Sequence, residues 1–210
     1  MSTSKRSGRG AVVALGVAAV VVVLAVIAVL ATRSDEDSSA GPQTYPVQVS
    51  GTALTRLPDP PAADPDDGKI APTLTGQSLF DGSPVTIAPN GKARLVVFLA
   101  HWCPHCRAEV PRLVEWMASA QKPADLEVVA VSTAYGESDI NTPASSWLKE
   151  EGWPTPVLAD SDDSAASAAY GLNAFPFLVV TGPDGEVKAR IARELSVEQL
   201  TAFVTGALGS

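Results

Sequence analysis

From Arg94 to Ala100 the chain reads Arg-Leu-Val-Val-Phe-Leu-Ala, and two residues later it reaches Cys103-Pro-His-Cys106. A short, continuous apolar run is the mark of a strand buried on both faces, as in a parallel sheet. After Cys106 the apolar residues keep helical spacing, with Val110, Leu113, Val114 and Met117 on one stripe. The two cysteines therefore fall where a central strand ends and a helix begins. Backbone N–H groups and the helix dipole stabilise an anion there, in this case a thiolate. Cys103 is expected as the exposed attacking sulfur and Cys106, one turn in, as the resolving one. The chemistry implied is thiol-disulfide exchange through a redox-active Cys103–Cys106 disulfide, with no added cofactor.

The chain has two cysteines and two histidines, and all four lie between His101 and Cys106. No cysteine is left for a structural staple, and a disulfide closing a two-residue loop would remove almost no chain entropy. The competing reading is a copper or zinc site made of His101, Cys103, His105 and Cys106. It requires a strand end and a tight helical turn to converge four ligands on one ion, so no metal site is expected.

Residues 1–10 are polar and basic, and Ala11 to Ala31 is an uncharged run of Ala, Val, Leu, Ile and Gly. As a helix that run spans about 32 Å, enough for a hydrocarbon core of about 30 Å. Lys5, Arg6 and Arg9 precede it, whereas Asp35, Glu36 and Asp37 follow. The positive-inside rule then predicts a cytoplasmic tail (1–10), a single-pass signal anchor (11–31) and an extracytoplasmic remainder. Cleavage after Val29-Leu-Ala31 is the alternative. Residues 32–67, rich in Pro, Asp, Ser and Gly, read as a semi-rigid, solvated tether. The net charge of −8 argues against nucleic acid as a partner.

Residues 68–210 suffice for one domain. Ala71–Gly76 and Ser83–Ile87 read as a hairpin, and Leu126–Ser132 as a second buried strand. Thr142 is expected to cap a helix with Pro143 at its first position. Thr155–Ala159 reads as an edge strand because of its proline, and Ser164–Tyr170 as a short helix stopped by Gly171. Phe177–Thr181 and Glu186–Ile191 read as a terminal hairpin. Ser196 and Gln199 form a capping box for a last helix. Alternating strands and helices predict an α/β domain whose mixed sheet is covered on both faces.

These residues resemble the thioredoxin fold in its membrane-anchored, extracytoplasmic TlpA/ResA-like branch. The matching pieces are Trp102-Cys103-Pro-His-Cys106, Arg107, Glu109, Pro111, Val157-Leu-Ala-Asp160, Tyr170-Gly171, Phe175-Pro176 and Asp184-Gly185. The separation of Cys103 from Pro176 exceeds that of plain thioredoxins, which implies the branch's strand-helix insertion at residues 133–152. The resemblance implies a cis-proline at Pro176 beside the disulfide, with the Phe175 backbone pairing with substrate. The plain alternative is that Phe175-Pro-Phe177 merely starts an edge strand. It also implies that Glu109 is a buried acid handling protons during exchange; an exposed first-turn Glu favoured by the helix dipole is the alternative. The buried Asp of ordinary thioredoxins aligns with Val97. Trp102 is expected to cover the disulfide, and Trp116, Trp147 and Trp153 to pack.

Pro104-His105 is the dipeptide of the strong oxidant DsbA, while the scaffold resembles reductants of cytochrome c maturation. A protonated His105 and the helix N-terminus both favour the Cys103 thiolate, hence the dithiol. A buried, charged Glu109 would push the other way. The expectation is an oxidant of exported proteins, recycled by a membrane redox partner, with reduction as the alternative. A metal chaperone is disfavoured because no histidine follows His105, and a thiol peroxidase because Ala100-His-Trp-Cys103 lacks the Thr-x-x-Cys setting.

Overall fold

Strand β4 (Arg94–Leu99) is buried along its whole length. Its side chains alternate between two apolar cores, Leu95, Val97 and Leu99 on one face and Val96 and Phe98 on the other. β5 (Glu127–Ser132) and β7 (Phe177–Thr181) flank it and divide their residues the same way. This period-2 split makes a continuous apolar sequence into a sheet covered on both faces.

The structure, a computed structural model, describes residues 41–59, 63–136 and 138–209. The other strands are β1 (Gln48–Ser50), β2 (Thr73–Ser78), β3 (Pro84–Ile87), β6 (Val157–Ala159) and β8 (Val187–Ala192). The sheet runs β1-β2-β6-β5-β4-β7-β8, with β3 also paired to β2. The pairs β4–β5 and β5–β6 are parallel, and the remaining pairs antiparallel. Four described helices cover it: α1 (Pro104–Ala118), α2 (Ala144–Glu150), α3 (Ala165–Ala169) and α4 (Val197–Leu208). The expected mixed sheet, N-terminal hairpin and terminal hairpin are all present, and the Ser196–Gln199 capping box opens α4.

Three local expectations change. Thr142 does not cap α2: the Thr142–Pro143 bond is cis, Pro143 takes the cap position with no side-chain bond, and the helix starts at Ala144. β6 is not an edge, because β2 pairs with its far side; Pro156 lies just before the strand, where its carbonyl accepts from the Ala130 N–H at 3.0 Å. The solvated tether expected over 32–67 gives way, from Gly41 on, to chain that belongs to the domain's compact unit. Its fastening is Arg190 on β8. This fully buried guanidinium pairs with Asp64 and Asp66 and donates to the carbonyls of Thr55 at 2.9 Å and Tyr170 at 3.0 Å. A buried charge needs such a full set of partners.

The expected signal anchor at 11–31 lies outside the described residues. Among those described, no helix is long and apolar enough to cross a membrane.

Candidate active site

Helix α1 begins immediately beyond β4, and Cys103 is its N-cap residue, followed by Pro104 in the first helical turn. Proline suits that position because its missing N–H would be an orphan there anyway. Both thiols are free. Cys106 is fully buried and Cys103 is 5% exposed, so the attacking sulfur is far less open than expected. Trp102 and Phe175 pack against the cluster that contains it. Their rings meet edge-to-face at 5.9 Å, and the Phe175–Pro176 bond is cis.

The two sulfurs differ in environment. Burial pushes the Cys106 thiol far above its usual range, and the neighbouring Cys103 and the Glu109 carboxylate add to the rise. Cys106 therefore stays a thiol until its proton is taken.

Glu109, three residues after Cys106, is completely buried. One carboxylate oxygen accepts from the Leu195 N–H at 3.0 Å and lies 3.4 Å from Arg112 Nη1. The other has no protein partner. Burial raises its carboxyl above the usual range, against the opposing effects of the Leu195 N–H and Arg112. The exposed first-turn alternative for Glu109 is thereby excluded.

His105 lies on the exposed side of α1. Its Nδ1 is 2.6 Å from Glu194 Oε1, and the other Glu194 oxygen accepts from Arg112 at 2.8 Å. His105 and Arg112 together hold the Glu194 carboxyl below its usual range. Glu194, in the loop between β8 and α4, has no sequence relationship to the motif that could have announced it. The sequence does carry one signal, an acid just before the capping box of α4.

His101 turns away from the cysteines. It is buried, its ring stacks obliquely on Tyr135 at 5.1 Å, and its Nδ1 lies 2.6 Å from the Ile140 carbonyl. Neither histidine joins the cysteines, and among the described residues no group of three His, Cys, Asp or Glu is placed to hold a metal ion. A groove of about 660 Å³ lined by Arg94, Met117, Lys122 and Leu126 lies at the opposite end of β4 and is not part of this site.

Residues 68–190 match the model of the AhpC/TSA family. The chain belongs to that family. The chain is 32% identical over 160 residues to the thiol:disulfide interchange protein DsbE homolog of Paracoccus denitrificans, covering 73% of this chain and 81% of that protein. It is 29% identical over 136 residues to the thiol:disulfide interchange protein HelX of Rhodobacter capsulatus, covering 64% and 72%. The chain also matches a probable nucleoredoxin of Arabidopsis thaliana, but over only 20% of that longer protein. Among solved structures, a thiol:disulfide interchange protein of the thioredoxin family from Chlorobium tepidum superposes with a TM-score of 0.55 at 25% identity, covering 70% of this chain and all of that one. The family match and these relatives support the thioredoxin-like fold and a thiol-disulfide oxidoreductase.

Proposed function

We propose that the chain is an extracytoplasmic protein thiol-disulfide oxidoreductase that forms disulfides in exported proteins through Cys103 and Cys106. The observation that carries this reading is the asymmetry of the pair. Cys103 caps the N-terminus of a long helix with His105 in its first turn, while Cys106 is sealed in the core as a thiol. A helix N-terminus supports negative charge, which favours the dithiol as the more stable form.

The oxidising cycle balances as follows. A client thiolate attacks Cys103 Sγ of the Cys103–Cys106 disulfide; the S–S bond breaks and its electron pair leaves on Cys106, which takes a proton. A second client thiolate attacks the client sulfur of the mixed disulfide, and Cys103 departs as a thiolate. The client loses two electrons, which a membrane redox partner must then remove from the chain; one proton ends on Cys106, and the other is released to solvent when the client thiols ionise. Glu109 supplies and takes the Cys106 proton, a role suited to a buried carboxyl raised above its usual range. In this reading Trp102 covers the disulfide, cis-Pro176 lies beside it and the Phe175 backbone receives the client. The anchor at 11–31 keeps the domain at the membrane.

Reduction of exported disulfides is the second reading. It is favoured by Glu194, whose charge offsets His105, and by the buried Glu109, which opposes a neighbouring thiolate. Mixing the oxidised chain with a reduced, unfolded multi-cysteine protein tests the first reading. Client disulfides should appear in step with loss of the chain's own, and Cys103→Ser should abolish this. If the reduced chain instead opens client disulfides and the oxidised chain forms none, the direction is reversed.

A further inference from the structure

Cys106, Glu109 and Arg112 recur at every third residue of α1, so they follow one side of the helix. That side leads out of the core: Cys106 and Glu109 are fully buried, whereas the Arg112 side chain is 40% exposed. The loop between β8 and α4 meets it with two consecutive residues. Leu195, itself buried, donates its N–H to Glu109 Oε2 at 3.0 Å, while the Glu194 carboxylate takes Arg112 and His105.

A single nitrogen, Arg112 Nη1, serves both acids. It lies 2.8 Å from Glu194 Oε2 and 3.4 Å from Glu109 Oε2. Glu109 Oε2 thus has two donors directed at it, while Oε1 is buried with no protein partner. A neutral carboxyl carries its proton on one oxygen, and in Glu109 that oxygen is Oε1. The unequal distances fit this assignment, because a guanidinium bonds a carboxylate more strongly than an uncharged acceptor. The charged and titratable groups facing Glu109 are Arg112 and Cys106 on its own helix and Glu194 on the loop. Helix α4 packs on α1 through the Trp116–Thr201 bond, and its one titratable residue, Glu198, is exposed and accepts from Ser196.

We propose that Arg112 is a positioning residue of the exchange site: Glu194 and Glu109 compete for its Nη1 hydrogens, and the share left to Glu109 sets how readily that acid gives up its proton. Losing Glu194 releases the guanidinium to Glu109 and favours the carboxylate. Losing Arg112 leaves the buried acid holding its proton. The surface pair of His105 and Glu194 thereby governs a group sealed in the core. This rests on the exchange reading above and adds what controls its proton carrier.

The test follows the protonated-carboxyl band of Glu109 by infrared difference spectroscopy across a pH titration, the band being the one absent from Glu109→Gln. The full chain is used in its oxidised form, in which neither cysteine titrates. Arg112→Gln should raise the midpoint by about one pH unit, and Glu194→Gln should lower it. Arg112→Lys, which keeps the charge, should stay closer to the parent than Arg112→Gln. In the Arg112→Gln background, Glu194→Gln should lower the midpoint by less than half as much, because the guanidinium through which it acts is gone. The kcat of client oxidation should persist to higher pH in Arg112→Gln and fail at lower pH in Glu194→Gln. An unmoved midpoint in Arg112→Gln would overturn the proposal, as would an equal lowering by Glu194→Gln with and without Arg112. So would kcat profiles that stay with the parent's while the midpoints move. Absence of both client oxidation and client reduction in the unmodified chain would instead overturn the exchange reading, with the infrared midpoints still deciding the role of Arg112.

Discussion

His105 is joined to Glu194, not to Cys103: its Nδ1 lies 2.6 Å from the Glu194 carboxylate, across from the first turn of α1. The Pro-His dipeptide thus acts with a counter-charge supplied by the loop after β8. At pH 5.5 Glu194 is ionised, because His105 and Arg112 hold its carboxyl low. Glu194→Gln at this pH removes that negative charge and leaves His105 and Arg112 in place. The dithiol should gain, and the redox potential should rise by roughly 10–20 mV, the equivalent of an exposed pair worth about 0.5–1 kcal/mol. An unchanged or lower potential in a glutathione titration at pH 5.5 would remove Glu194 from the account.

Burial keeps Cys106 protonated far above the usual thiol range. Iodoacetamide at pH 8 should therefore label the native dithiol once, at Cys103, and the unfolded chain twice, as read by mass spectrometry. Two labels at similar rates in the native chain would contradict the asymmetry.

The raised carboxyl of Glu109 has a stability consequence. A group that binds its proton more tightly in the folded state stabilises the fold below its unfolded pKa, about 4.3, and this contribution is lost as pH rises through the folded value. Glu109→Gln stays neutral throughout and keeps an acceptor for the Leu195 N–H. Its Tm relative to the parent should be more favourable at pH 9 than at pH 4.5. The opposite trend would mean that the buried group is a well-compensated carboxylate.

The Arg190–Asp64–Asp66 cluster predicts a large mutational effect. Arg190 and Asp66 are buried, and removing one partner of such a set strands the others, at a cost of about 3–5 kcal/mol. Arg190→Met should lower stability by that amount in urea unfolding and open residues 53–59 and 63–67 to hydrogen exchange. A loss below about 1 kcal/mol would show the strap to be held elsewhere. For Asp66, burial favours the neutral form but is outweighed by Lys69, the Thr55 N–H and Arg190, so its carboxyl is held low. Its contribution is present above the ordinary carboxyl range and is lost as pH falls through the lowered value.

The architecture was legible where local pattern and burial coincide. The apolar run of β4, the helical stripe after Cys106 and the Ser196 cap each report their environment within a few residues. What escaped depends on contacts distant in sequence. Glu194 meets His105 from the loop after β8, 89 residues along the chain, and Arg190 reaches back to Asp64 and Asp66, so a Pro- and Asp-rich stretch that reads as tether is chain packed into the domain. A signal for the latter was present: Arg190 falls among the apolar residues of β8, and an inward cation calls for acids somewhere. His101 read as a metal candidate because composition counts ligands without showing where they point; its Nδ1 is committed to the Ile140 carbonyl.

The most direct test of the central claim is the equilibrium redox potential of the Cys103–Cys106 pair against glutathione at pH 7. Strong disulfide oxidants lie near about −120 mV and thioredoxin near about −270 mV. A Cys103 that caps the N-terminus of α1, with Cys106 held as a thiol, is expected to fall nearer the first value. A potential at or below thioredoxin's would contradict the oxidising cycle and make the chain a reductant.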